Sequence, residues 1–402
     1  MRVLCVRTRA LAVLAVTLVG SGVLATTVGV SPALAANKIY WGNYGSGTIG
    51  YANLDGSGGG GVLNTSPVTP ISPNGLAIDS ATGRLYWADY FGHTISFASL
   101  AGGAGGTFTA PHTTATAPQG TVIDPATKKI YWANFGNSTI DYANLDGSRG
   151  GQLKTNGAVV DGPSGVAIDP ANGRIYWTNY FNNTIYSARL NNTGGGQQLK
   201  TGSASVLVPQ GIAIDVGTGR LYWANSFNDT HPIAWARTNN SGEAGNLRTK
   251  GATAAFAYGV ALDPAGRKLY WGNCNTNTIS FANLNGSGGG QLDTSGTTPA
   301  CPAFPIVLKK PRASAAPKIS GQSSVGAKLS CSHGKWATDL IGAFLYQRPA
   351  NFAYSWDRNG KPINGATTRS LTAAHAGRYT CTVTATNQAG STTKTSAPDT
   401  VR

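Results

Sequence analysis

Six tryptophans set the frame of this chain. Trp41, Trp87, Trp132, Trp177, Trp223 and Trp271 each follow a tyrosine, and successive ones are 46, 45, 45, 46 and 48 residues apart. A repeat of this length is a supersecondary unit that cannot bury its apolar face alone, so the units must stack. Within each period the same short segments recur. An apolar run such as "PNGLAID" (Pro73–Asp79), "PSGVAID" (Pro163–Asp169) or "PQGIAID" (Pro209–Asp215) leads into a turn such as "DPANGR" (Asp169–Arg174). Pro early and Gly late in that turn are what a hairpin prefers. The Tyr-Trp strand follows, then a polar-aromatic loop, an alternating strand of the "NTIYSARL" kind and a Gly-rich piece such as "GGGQQLK". Four short antiparallel strands per unit, six units and no helical period specify a six-bladed β-propeller. The small residues of "GVAID" suit strands crowded at the axis. The Tyr-Trp pairs suit the widening wedge between blades, where each buried indole contributes roughly 2–3 kcal/mol by apolar burial.

The ring must also close. The first Tyr-Trp strand has no apolar inner run ahead of it, whereas "FPIVL" (Phe304–Leu308) aligns under the "GIAID" of an earlier unit. Phe304–Leu308 is therefore expected to supply the missing inner strand, with Pro305 at the strand's start or on an unpaired side. Cys274, in the loop after a Tyr-Trp strand, and Cys301, in the loop entering the closing strand, fall on the same face of such a blade. The two are expected to form a disulfide that pins the closure, worth roughly 3 kcal/mol.

Residues 1–35 read as a secretory signal. Arg2, Arg7 and Arg9 precede the apolar stretch Ala10–Val19, and "SPALA" ends at Ala35 with a small-residue cleavage pattern. The apolar run is too short, and too broken by Gly20 and Gly22, to span a bilayer. No later stretch is apolar enough to do so, and Cys5 lies ahead of the apolar core, where a lipid-bearing cysteine is not expected. An exported chain, outside the cell or associated with its envelope, is the expectation. Its charge is uneven. Residues 36–310 carry 17 basic and 13 acidic side chains, and residues 311–402 carry 11 and 3. Such an excess attracts anionic polymers, or simply solvates the surface. No nucleic-acid motif accompanies it, so nucleic acid is not an expected partner.

The recurrence of P-x-G-[VIL]-A-[IL]-D in phase with [LI]-Y-W-x-[DN] resembles the low-density-lipoprotein-receptor class B repeat, the YWTD-type propeller, over about residues 37–310. The resemblance departs at the last motif position, where Asn43, Asn134, Asn179, Asn225 and Asn273 stand and only Asp89 is acidic. It implies an extracellular interaction domain that binds proteins or serves as a spacer. The tail resembles a bacterial immunoglobulin-like domain. "KLSC" places Cys331, "YSW" places Trp356, and "GRYTCTV" places Cys381 with Tyr379 two residues earlier. The resemblance implies a Cys331–Cys381 disulfide with Trp356 packed on it and Tyr379 as the corner tyrosine. The expected organisation is thus all-β: a signal (1–35), a six-bladed propeller (36–310), a linker (311–317) and an immunoglobulin-like sandwich (318–402).

Six-bladed propellers also include enzymes. Lactonase-like propellers hold a divalent ion with Glu, Asn and Asp, and streptogramin lyase-like ones need a His–Glu arrangement. The only Glu here is Glu243, in the outer segment "NNSGEAGN". No catalytic residue, metal ligand set or cofactor is therefore expected, and an extracellular hydrolase or lyase with a channel site is the alternative. Asp79, Asp124, Asp169, Asp215 and Asp263 either cap their own turns or line a channel rim, and the turn reading is preferred because they recur with the turn. His93, His112 and His231 read as exposed loop histidines.

The loops after the Tyr-Trp strands, "NYG", "DYFGH", "NFGN", "NYFNN" and "NSFND", gather the candidate ligand-binding residues Tyr44, Tyr90, Phe91, Phe135, Tyr180, Phe181, Phe227 and Asn179. Aromatic planes beside amides suit a protein or a cell-envelope glycan. The competing reading is that the Asn/Asp positions tie blades together and the aromatics pack between them. The function expected is a non-catalytic binding or scaffold protein, with the basic C-terminal domain aiding attachment, through an anionic polymer, to a surface.

Overall fold

The computed structural model describes residues 37–402. The expected signal, residues 1–35, lies outside them. Six sheets form the blades of a propeller, five of them four-stranded and antiparallel and the sixth, blade one, with a fifth strand added in parallel. Blade two is typical, with strands Pro73–Asp79, Arg84–Asp89, Thr94–Ser99 and Gly106–Phe108 running from the axis outward. In blade one the inner strand is Pro302–Leu308, which pairs antiparallel with Lys38–Asn43 and closes the ring. It begins two residues before the expected Phe304. Its ladder shifts between Tyr40 and Gly42, so Phe304 and Pro305 occupy a bulge, where Pro305 is not required to donate an N–H. Cys274 and Cys301 are disulfide-bonded across this closure.

The inner strands touch backbone to backbone. A Cβ on Gly120 would lie 2.9 Å from the Cα of Gly165, and one on Gly165 would lie 2.8 Å from the Cα of Gly211. Gly211 is in the same relation to Gly259, and Gly259 to Phe304 of the closing strand. Only glycine permits this approach. Further out the wedge opens, and all six tryptophans fill it while remaining essentially enclosed.

The basic residue that opens the Tyr-Trp strand has a consistent partner. Lys38, Arg84, Lys129, Arg220 and Lys268 lie 4.0–5.0 Å over the rings of Tyr51, Phe97, Tyr142, Trp235 and Phe281 on the next strand. Such cation–π contacts contribute roughly 0.5–1 kcal/mol each at exposed positions. Blade four is the exception. There Ser187 replaces the aromatic, and Arg174 Nη2 donates to its hydroxyl at 2.7 Å.

The C-terminal region contains the strands Lys328–Cys331, Asn351–Arg358 and Gly377–Asn387 in two further sheets, linked by the Cys331–Cys381 disulfide. Trp356 is buried beside that bridge, and the Tyr379 hydroxyl donates to the His375 carbonyl at 2.7 Å. Residues 313–315, within the expected linker, form a strand with Lys335–Trp336.

One hairpin of this region enters the propeller axis. The 3-10 turn Ile341–Ala343 and the short strand Leu345–Tyr346 add to the inner edge of Pro302–Leu308 as a parallel strand. Backbone bonds from Val307 to Phe344 and from Lys309 to Tyr346, both 2.8 Å, hold it. The inner strands end here in Ile78, Ile123, Ile168, Ile214, Leu262 and Val307, all buried. Ile341, Ala343, Phe344 and Leu345 join the same apolar core as most of these side chains. The axis is thereby stoppered at this end. Gly342 is the tightest point, since a Cβ there would overlap Ile214 Cγ2 and the Ile168 carbonyl. Gly342→Val is expected to keep the hairpin out, at about 1–3 kcal/mol by overpacking. Increased binding of a hydrophobic dye and faster tryptic cleavage after Arg348 are the readouts. An unchanged digest would mean that the seat accepts the larger side chain.

Candidate functional site

The opposite end of the axis carries the loops that follow the Tyr-Trp strands. Each begins with the motif Asn or Asp, and these six side chains are enclosed. Asn179 Oδ1 accepts the Asp161 N–H at 3.0 Å, while Nδ2 donates to the Val159 carbonyl (3.0 Å) and Thr184 Oγ1 (3.1 Å). Asn134 does the same for Thr116 and Thr114, and Asn225 for Leu207 and Ser205. Trp177 Nε1 also donates to the Val159 carbonyl. Apart from Thr184, which opens the blade's own third strand, these partners lie in the crossover that brings the chain from one blade to the next. In blade two, Asp89 accepts from the Ile71 and Ser72 N–H groups, both at 2.8 Å, and the enclosed indole N–H of Trp87 has no partner. The Asn/Asp positions are clamps on the crossovers. Asn179, expected among the ligand-facing residues, is corrected to this role because its amide is enclosed and occupied.

The aromatics divide by position in the loop. The first of each pair turns inward and the second outward. Tyr44, Tyr90, Phe135 and Tyr180 are half-buried on successive blades, with ring centroids 5.9, 6.0 and 5.4 Å apart. Ser226 takes this place in blade five, its hydroxyl donating to the Ala257 carbonyl at 2.9 Å, and Cys274 takes it in blade six. Tyr258, from an inner strand, bridges much of the gap and lies 6.3 Å from Tyr44. Phe91, Phe181 and Phe227 point outward and are 60, 60 and 58% exposed. Beside them the crossover residues Ile71, Val159 and Leu207 are exposed as well.

Below this aromatic crown, the variable residue of P-x-G turns into the axis. Asn74, Gln119, Ser164, Gln210 and Tyr258 occupy it, all buried. Ser164 Oγ lies 2.6 Å from Gln119 Oε1, and Asn74 Nδ2 donates to the Tyr258 hydroxyl at 3.3 Å. Asn74 Oδ1 has no partner. Burial raises the Tyr258 hydroxyl far above the ordinary tyrosine range despite the Asn74 hydrogen bond. Burial also raises Tyr44 and Tyr90, with neighbouring phenols adding to it. The crown and the ring beneath it consist of aromatic rings, amides and hydroxyls, so they offer stacking and hydrogen bonds and no carboxylate. Sequence reading passed over this ring. Its signal was a single non-apolar residue at the same point of five otherwise apolar runs.

The remaining expected groups lie elsewhere. Asp79, Asp124, Asp169, Asp215 and Asp263 accept hydrogen bonds within their own turns, for example Asp79 from Ala81 N at 3.0 Å and Thr82 Oγ1 at 2.6 Å. Asp263 also pairs with Lys309 Nζ at 2.8 Å. Glu243, just ahead of the outer strand Ala244–Asn246, pairs with Arg220 and Arg237. His93 Nδ1 accepts the Ala117 N–H at 2.9 Å. Among the described residues, no three His, Cys, Asp or Glu side chains are grouped to hold a metal.

No family model matches the chain, and no curated protein does. Solved structures do match. A chain of the nidogen/laminin complex shares 21% identity at a TM-score of 0.55, covering 67% of this chain and 97% of that one. Hydrazine synthase of Kuenenia stuttgartiensis matches at 14% identity and TM-score 0.47, over 66% of this chain and 81% of that one. The gluconolactonase XC5397 of Xanthomonas campestris matches at 15% and 0.43, over 59% and 84%. The nidogen/laminin likeness is one of fold.

Two consequences are measurable. Asn179→Ala strands the Asp161 N–H, while the Val159 carbonyl keeps the Trp177 indole as its donor, and one such group costs about 1–3 kcal/mol. Denaturant unfolding should report a loss of about 1–3 kcal/mol, whereas Phe181→Ala should stay within about 0.5 kcal/mol of the parent. The second concerns Asp141, whose carboxyl is raised chiefly by burial, against hydrogen bonds from Thr114 and Thr139. A folded pKa above the unfolded one means that stability is fully present below the ordinary carboxyl range and falls as pH rises through the folded value. Asp141→Asn remains neutral throughout. Its thermal midpoint should therefore exceed the parent's at neutral pH by about 1–3 °C, a gain that shrinks as pH falls toward about 4. A pH-independent difference would refute the assignment.

Proposed function

We propose that the chain is an exported, non-catalytic binding protein whose propeller presents the aromatic face to a protein ligand. The observation that carries this reading is the distribution of exposed apolar side chains. Of the ten large exposed ones in the described residues, Ile71, Phe91, Val159, Phe181, Leu207 and Phe227 share this one face. A concentration of that kind, rimmed by polar loops, is characteristic of protein interaction surfaces. The aromatic crown and amide ring favour recognition over acid–base or nucleophilic chemistry. The resemblance of the repeat motifs to YWTD-type propellers is consistent with this, and in the nidogen/laminin complex a chain of like fold takes part in a protein assembly. Two disulfides fit an oxidising compartment. No helix among the described residues is long and apolar enough to cross a membrane. The C-terminal region, read as an immunoglobulin-like sandwich, adds a basic surface that holds the protein near an anionic one.

Co-sedimentation of the full chain with isolated cell envelopes tests the reading. Binding should survive high salt, and the triple variant Phe91→Ala, Phe181→Ala, Phe227→Ala should weaken the salt-resistant part about tenfold or more without lowering the thermal midpoint. Binding that salt abolishes, or that ignores these three side chains, would overturn it.

A further inference from the structure

A cleft of about 540 Å³ opens in the C-terminal region, between the hairpin of Asn351–Arg358 with Lys361–Pro362 and the start of Gly377–Asn387. Its floor is apolar, formed by Ile363, Leu371 and the ring of Tyr379. Its rim carries Arg358, Asn359, Lys361 and His375. Asn359 Oδ1 is spent on the Arg378 N–H at 2.9 Å, which leaves its Nδ2 as a donor. The Tyr379 hydroxyl holds the His375 carbonyl and so fixes the backbone that carries the imidazole.

No carboxylate lines this cleft. Residues 311–402 contain three acids. Asp339 accepts from Ser80, Gln347 and Arg348, and Asp399 from Ser323. Asp357 adjoins Arg358 on a strand, where successive side chains point to opposite faces. The ion pairs among the described residues include none of the eleven basic side chains of this region. The rim is therefore a set of cationic and amide donors with no internal anion to satisfy them.

We propose that this cleft binds phosphate groups of an anionic polymer, an inference that rests on reading the basic C-terminal region as the contact with an anionic surface. A donor set without acceptors selects a group with several acceptor oxygens. Arg358 offers the planar fork suited to phosphate, and Lys361 a mobile point charge. The apolar floor takes the carbon skeleton between phosphates. A membrane fits less well, since the exposed large apolar residues of this region, Val325 and Phe352, do not line the cleft.

Calorimetric titration of the full chain with linear poly(glycerol phosphate), which carries carbon between its phosphates, at physiological ionic strength is the test. Arg358→Gln/Lys361→Gln should weaken binding about tenfold or more, and the equally charged control Lys318→Gln/Lys328→Gln less than about threefold. Thermal midpoints matching the parent's would exclude misfolding. Equal losses in the two variants would show diffuse attraction, and no binding by the parent would also overturn the proposal. Stronger binding to phosphatidylglycerol vesicles than to poly(glycerol phosphate) would overturn the polymer as source. Salt-resistant envelope binding that persists in Arg358→Gln/Lys361→Gln but fails in the phenylalanine variant would locate a failure here rather than in the propeller face.

Discussion

The whole propeller hangs on the approach of its inner strands. Gly75, Gly120, Gly165, Gly211 and Gly259 bring one backbone against the next, and Phe304 completes the circuit from the far end of the propeller sequence. A methyl group at these points would push blades apart at the axis, and every contact further out is set by that radius. The price of using glycine is chain entropy. It is offset by the tryptophans, which fill the wedge that the close approach creates.

Two further devices keep the blades in phase. The motif Asn or Asp reaches back to the crossover feeding its own blade, so each blade's entry is locked by its second strand. The basic residue at the start of that strand lies over an aromatic ring on the third strand. Register makes these contacts coincide, since Lys38 stands opposite Asn53 and Tyr51 is two residues along on the same face. Blade four keeps the geometry with different chemistry, exchanging the ring for the Ser187 hydroxyl. The repeat thus conserves a position and a cation, while the group beneath the cation varies.

What was legible in the sequence was whatever recurs in phase. Period, strand content, closure by "FPIVL" and the Cys274–Cys301 bridge all follow from aligning units. What was not legible depends on contacts between distant, non-repeating segments. Nothing local in "IGAFLY" (Ile341–Tyr346) says that its partners are isoleucines spaced around a ring. The loop aromatics show the same limit on a smaller scale. "YF" in "DYFGH" and "NYFNN" gives two rings in succession, but only the fold decides that Tyr90 and Tyr180 turn toward the axis while Phe91 and Phe181 face solvent. Asn179 illustrates the converse. Its place beside those aromatics suggested a ligand contact, yet a buried amide must first satisfy the backbone around it, and the crossover provides that partner.

The stopper bears on which face can bind. An open propeller has two mouths, and ligands can in principle reach the axis from either. Here the Ile341–Tyr346 hairpin fills the mouth ringed by Ile78, Ile168, Ile214 and Leu262 with its own apolar side chains. It joins the closing strand as an additional strand, so the same segment that completes blade one also seats the C-terminal region. The axis is left with a single approach, through the crown of Tyr44, Tyr90, Phe135 and Tyr180. At the base of that approach Asn74 keeps an acceptor oxygen without a partner, beside the Tyr258 hydroxyl. A ligand group bearing an N–H or O–H would find there what the protein does not itself satisfy. Apolar contacts at Phe91, Phe181 and Phe227 would hold the body that carries it.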